Sequence, residues 1–235
     1  MNLLEKLDFS TAFRELSPIL MEGLGIVLAS TLCGFSLALL LGTFIALGRI
    51  SKYFLLNKVL VVLLEIVRGT PLLVQLVYMY YVVPLIITLI GQLWDPSYRF
   101  TLSPFMAGVI GLGINYGCYL SEVIRSAIIS VDKGQFEAAL ALGYTNRQAM
   151  WLIIIPQAVR IALPTFGNYI IMMIKDTSLL AFITVSELLL RTQAYASQTF
   201  LTIESYTILA LAYLVLSLPL AQIVRIMEKR LKRHV

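Results

Sequence analysis

Between Gly25 and Gly48 the chain carries no charged side chain. About 20 apolar residues suffice for a helix to cross the roughly 30 Å hydrocarbon core of a bilayer. Similar runs recur at about 72–90, 104–128, 150–174 and 205–226. In lipid every backbone N–H and C=O must bond within its own element, so runs of this length must be helical. Composition agrees: charged residues make up 13%, against about 25% in soluble domains. The reading is an all-α integral membrane protein of five spans.

No polar stretch is long enough for a separate soluble domain, so residues 1–235 form a single transmembrane domain. Leu3, Leu4, Leu7, Phe13 and Leu16 recur at helical spacing, which predicts a separate interfacial helix over about 3–17. The acids and polar residues there interrupt any signal-peptide core. Residues 54–90 are too long for one straight span, and Pro71 disfavours helix in the residue before it. The expectation is an approach helix at 54–68, a break at Gly69–Pro71, and then the second span. Residues 178–190 are apolar but short, the signature of a re-entrant or interfacial segment.

Charge sets the expected orientation. One set of span ends carries Arg49, Lys52, Lys58, Arg125, Lys133, Arg147, Arg225, Lys229, Arg230, Lys232 and Arg233; the other carries only Lys6, Arg14, Arg99, Lys175 and Arg191. Basic loops stay on the cytoplasmic side. The 130–149 loop and the C-terminus are therefore expected inside and the N-terminus outside. The net charge of +5 is spent on these ends and forms no basic stripe for nucleic acid. Cys33 and Cys118 lie in apolar runs and the only histidine is His234, so no metal site is expected. No G-x-x-x-x-G-K-[ST] loop exists to cradle ATP.

The 130–149 loop is rich in helix formers. A short helix should end at Gly143, with a second starting after Thr145 as N-cap. Such a pair either docks a cytoplasmic partner or lies on the bilayer as an ordinary amphipathic loop. Its residues are Glu137-Ala138-Ala139, three residues, Gly143, nine residues, then Ile153-Ile154-Ile155-Pro156. This resembles the E-A-A, G, I-x-L-P loop of ABC importer membrane subunits, with Ile155 where leucine is usual. Arg68-Gly69-Thr70-Pro71-Leu72-Leu73-Val74-Gln75, the run Asn115 to Arg125 and Lys175-Asp176-Thr177-Ser178-Leu179 are similar to segments of polar amino acid importers, the histidine and glutamine permease group. Cys118 and Ser126 depart from the usual alanine and glycine.

The resemblance implies a five-span type I transmembrane subunit with cytoplasmic coupling helices between spans three and four. It also implies two separate ATP-binding subunits, which hold ATP and Mg, docked through Glu137, Ala138, Ala139 and Gly143. A second permease, identical or related, and an extracytoplasmic solute-binding protein complete the expected assembly. By the same resemblance the chain itself is expected to bind no cofactor, to be no enzyme, and to work in a prokaryotic plasma membrane among lipid.

Ionisable and polar groups at membrane depth are the substrate candidates. Asn115, Tyr119 and Glu122 fall at i, i+4 and i+7, one helix face. Glu122 either meets an ammonium group or pairs with Arg125. Asn168 and Tyr169 are the candidates on span four. Lys175 and Asp176 form either a local pair or a gate, and Arg68 is read as an anchor beside the break. Pro156 and Pro164 bend span four, and Arg160 snorkels to the interface. Glu122 alone does not decide the substrate; basic or amide side chains lead, with arginine first on the balance of the outer acids Glu5, Asp8, Glu15, Glu22, Asp95, Glu187 and Glu204. The alternatives are a stand-alone transporter or channel, an ABC subunit for another small solute, and an intramembrane enzyme, for which no nucleophile–base cluster is visible.

Overall fold

The computed structural model describes residues 7–231. Eight helices follow in order: α1 Phe9–Ile50, α2 Phe54–Arg68, α3 Leu72–Gly91, α4 Pro104–Ser130, α5 Lys133–Ala141, α6 Asn146–Ile183, α7 Leu188–Thr199 and α8 Thr202–Leu231. Five of them (α1, α3, α4, α6 and α8) are long and apolar enough to cross a membrane.

Helix α1 corrects the expectation of a separate interfacial helix at 3–17. It is continuous from Phe9, so residues 9–17 belong to the first span, while residues 1–6 lie outside the described part. Its 42 residues extend about 63 Å at 1.5 Å per residue, twice the hydrocarbon thickness. Tertiary packing explains the continuity. Ala12, Leu16 and Leu20 are buried in a cluster with Leu188, Tyr195, Ile208 and Leu209 of α7 and α8. The Asp8 carboxylate caps α1 by accepting from Thr11 N at 2.9 Å, while the Asp8 N–H donates to buried Glu204 at 2.9 Å.

Helices α1 and α4 lie along each other at the centre. Small residues permit the approach where lipid offers no hydrophobic drive between helices. A Cβ on Gly42 would stand 2.9 Å from the Gly117 carbonyl oxygen, which leaves room only for glycine. Phe35, Leu112, Tyr116 and Met173 fill the core between α1, α4 and α6, joined by Leu76 of α3.

Prolines shape α3 and α6. Proline has no N–H to donate and its ring crowds the carbonyl four residues before it. The chain answers with a widened π turn at Tyr78–Val82 ahead of Pro84 and another at Met150–Ile154 ahead of Pro156. Helix α6 then tightens into a 3-10 stretch, Thr177–Ile183, and stops at Thr184 with φ 64°. Leu180 and Ile183 of that stretch are buried in the central core, so the 178–190 segment packs inside the bundle. The buried Glu187 carboxylate starts α7, accepting from the N–H groups of Leu189 at 2.8 Å and Leu190 at 2.9 Å.

Candidate functional site: a polar cavity and a projecting helix pair

Helix α2 stops at Arg68 because Pro71 cannot continue it. The stop brings Arg68 beside α4. Its guanidinium carbon lies 5.2 Å from the centroid of the Tyr119 ring, within the reach of a cation–π contact. Arg68 forms no ion pair among the described residues. The Tyr169 ring of α6 stands 6.2 Å from that of Tyr119. Arg68, Tyr119, Glu122, Ser126, Thr165 and Tyr169 line a cavity of 450 Å³ between α2, α4 and α6. A second hollow of 580 Å³ shares Arg68, Tyr119 and Glu122 with it and adds Arg49 and Glu65. Binding pockets for small molecules commonly measure about 300–1,000 Å³.

Glu122 is not a free acceptor. One oxygen takes Arg125 Nη2 at 2.5 Å and Nε at 3.2 Å; the other is paired with Arg49 at the end of α1. It pairs with Arg125, one of the two alternatives, and it also lines the cavity. Asn115 sits further along α4, buried, where its Nδ2 donates to Gln75 Oε1 at 3.0 Å. Tyr169 joins Tyr119 in the cavity wall, whereas Asn168 is exposed and lines neither hollow.

Lys175 and Asp176 are not a local pair, a correction to one of the two expectations. Asp176 accepts from the Tyr116 hydroxyl at 2.6 Å, and Lys175 is exposed without an ion pair among the described residues. Adjacent positions on a helix point about 100° apart, which separates the two side chains. The described acids that the sequence places on the outer side are likewise engaged by neighbouring groups. Glu22 pairs with Arg191 at 2.7 Å, Glu15 accepts from Tyr195 at 3.1 Å, and Asp95 accepts from Ser97. Asp8, Glu187 and Glu204 serve the contacts described above, and Glu5 lies outside the described residues.

At the basic end of the bundle, α5 packs mainly on the first turns of α6, with Phe136 beside Ile154 and Ala158. Glu137 and Ala138 are exposed and Ala139 is turned inward. Gly143 has φ 88°, and the Gly143 and Tyr144 N–H groups close the end of α5 on Leu140 O at 3.0 Å and Ala139 O at 3.1 Å, as a left-handed glycine stop does. Thr145 and Gln148 form a reciprocal capping box that starts α6.

Sequence reasoning missed Arg68 and Arg49 as cavity residues, and Tyr116 as the buried partner of Asp176. Arg68 carried a signal: the one basic residue between Lys58 and Arg99, three residues before a proline. Arg49 lay too far from Glu122 in sequence for any pattern to pair them.

Residues 38–233 match the family described as the binding-protein-dependent transport system inner membrane component. The probable amino-acid ABC transporter permease protein PatM of Vibrio harveyi is 39% identical over 199 residues, 85% of each chain. The glutamine transport system permease protein GlnP of Escherichia coli is 34% identical over 215 residues, 92% of this chain and 94% of that one. The crystal structure of an amino acid ABC transporter with histidines superposes with a TM-score of 0.82 at 34% identity, covering 96% of this chain and 99% of its counterpart. With five spans, a helix pair projecting between the third and fourth and a polar cavity beside the fourth helix, the chain belongs to the binding-protein-dependent transport inner membrane components, as an amino-acid ABC transporter permease of type I fold.

Proposed function

We propose that the chain couples ATP hydrolysis on two separate cytoplasmic subunits to the import of polar L-amino acids delivered by an extracytoplasmic binding protein. The observation that carries this reading is the exposed α5–α6 turn around Gly143, a rigid projection for a partner to push. Docked there, ATP-driven closure of the partners tilts the spans of two permease chains between inward-open and outward-open states. The charge asymmetry supports a cytoplasmic location for this projection and the C-terminus, and an outer location for the N-terminus.

In the cavity, Arg68 offers a guanidinium fork to the substrate carboxylate. Glu65, three residues earlier and in the same hollow, accepts from the ammonium. Tyr119 and Tyr169 cover the apolar part of the side chain. The case for a basic side chain weakens, since Glu122 is held by two arginines and the acids expected outside are, among the described residues, engaged by neighbouring groups. We therefore propose a zwitterionic polar amino acid, with basic ones a narrower case within that class.

Co-expression with its ATPase and binding-protein partners and reconstitution in liposomes tests this. Uptake of one or more of the twenty radiolabelled L-amino acids should require ATP and fall when Arg68 is changed to alanine. Uptake by the purified chain alone, without ATP, overturns the reading in favour of a stand-alone carrier or channel.

A further inference from the structure

Gln75 makes more polar contacts than any substrate candidate, yet nothing above assigns it a role. Its Nε2 donates to Val67 O at 2.6 Å, to Thr70 Oγ1 at 2.8 Å and to Thr70 O at 3.1 Å, and its Oε1 accepts from Asn115 Nδ2 at 3.0 Å. The reason lies in the helix break. In a continuous helix the Val67 carbonyl would accept from the N–H four residues later, and residue 71 is proline, which has none. An orphaned carbonyl at membrane depth is costly. Gln75, one turn into α3, reaches back and supplies the missing donor. The Thr70 hydroxyl helps by donating to Ile66 O at 3.1 Å and, at a longer 3.3 Å, to Val67 O, leaving Gln75 at 2.6 Å as the closer donor to Val67. Asn115, on the central helix α4, then holds the other end of the carboxamide.

Val67 immediately precedes Arg68, so the Gln75 contact holds the peptide plane from which the Arg68 side chain departs. We propose that Gln75, braced by Asn115, is a positioning residue that holds Arg68 over Tyr119 in the orientation that receives the substrate carboxylate. This rests on the reading of Arg68 given under the proposed function. It also moves Asn115 from substrate contact to support. Glycine and proline alone explain why the chain breaks at 69–71; the Gln75–Asn115 brace explains why the broken end keeps one geometry against α4.

A double-mutant cycle on the complete transporter in liposomes separates the two claims. The probe is the radiolabelled amino acid taken up best among the twenty L-amino acids. Arg68→Ala should raise its half-saturating concentration about tenfold or more, the loss of a charge-assisted pair. Gln75→Leu should raise it about threefold or more, with maximal velocity per assembled complex kept within about twofold. The double variant should match Arg68→Ala alone, because residues acting through one another are not additive. If Gln75→Leu does not assemble, Gln75→Glu takes its place: it keeps the acceptor for Asn115 and lacks the donors for Val67 and Thr70. Full additivity, or an effect of Gln75 on maximal velocity only, overturns the positioning role and leaves Arg68 as the carboxylate ligand. A wild-type half-saturating concentration in Arg68→Ala overturns both.

Discussion

Replacing Glu122 with glutamine tests whether this carboxylate is a structural clamp or a substrate ligand. The variant keeps the volume and removes the charge that two guanidinium groups share. Arg125 reaches one oxygen at 2.5 Å and Arg49 is paired with the other. The side chains of Glu122, Arg49 and Arg125 are 30%, 16% and 29% exposed, so the cluster is largely shielded from water. Arg49 Nε is also buried without a hydrogen-bond partner, so the Glu122 contact is the one ion pair this side chain makes among the described residues. A hydrogen bond to a charged group contributes about 1.5–3 kcal/mol, and partial exposure lowers that toward the surface-pair range. The amide retains one neutral acceptor. We expect a net loss of about 2 kcal/mol, with repulsion between the two unscreened arginines adding in the same direction. Thermal denaturation of the purified complex in detergent, followed beside transport, reads the result. The clamp predicts a lower midpoint and an unchanged half-saturating substrate concentration. It also predicts that Arg125→Gln costs little more once Glu122 is gone, since the pair is already broken. A wild-type midpoint with a raised half-saturating concentration would refute the clamp and return Glu122 to the substrate.

The projection and the far end of the bundle give two further tests. Gly143 has φ 88° and open space around its Cα, so alanine there costs about 1–2 kcal/mol through backbone strain alone; Gly143→Ala should lower retention of the ATPase subunit on co-purification, and full retention would count against a rigid coupling turn. Burial pushes the Glu187 carboxyl above the ordinary carboxylate range, against the lowering effect of the Leu189 and Leu190 N–H groups and the Tyr213 hydroxyl. The folded chain then binds this proton more tightly than the unfolded one, so the contribution to stability is fullest below about pH 4.3 and declines as pH rises through the raised value. Glu187→Gln should remove that part of the pH dependence of the denaturation midpoint, and an unchanged slope between about pH 4 and pH 8 would refute it.

Much of this architecture is legible in the sequence because lipid imposes a one-dimensional rule. A run of apolar residues long enough to cross must be helical, so the five spans follow from length and charge alone. Local chemistry is legible for the same reason. The stop at Gly143, the cap at Thr145 and the break before Pro71 depend on residues within a few positions of one another, and the structure has all three. Periodicity also placed Tyr119 and Glu122 on one face of α4, where the cavity lies.

Contacts between residues far apart in sequence were decided only by the tertiary structure. Residues 9–17 look like an interfacial helix by themselves; they join α1 because α7 and α8 supply a buried surface for Ala12 and Leu16. Glu187 and Glu204 read as surface acids until the fold surrounds them with N–H donors from Leu189, Leu190 and Asp8. Arg49 meets Glu122 across 73 positions, and Gln75 meets Asn115 across 40. Hydrophobic length depends on each segment alone and is fixed before folding, whereas the partner of a buried charge or amide depends on which helix packs beside it.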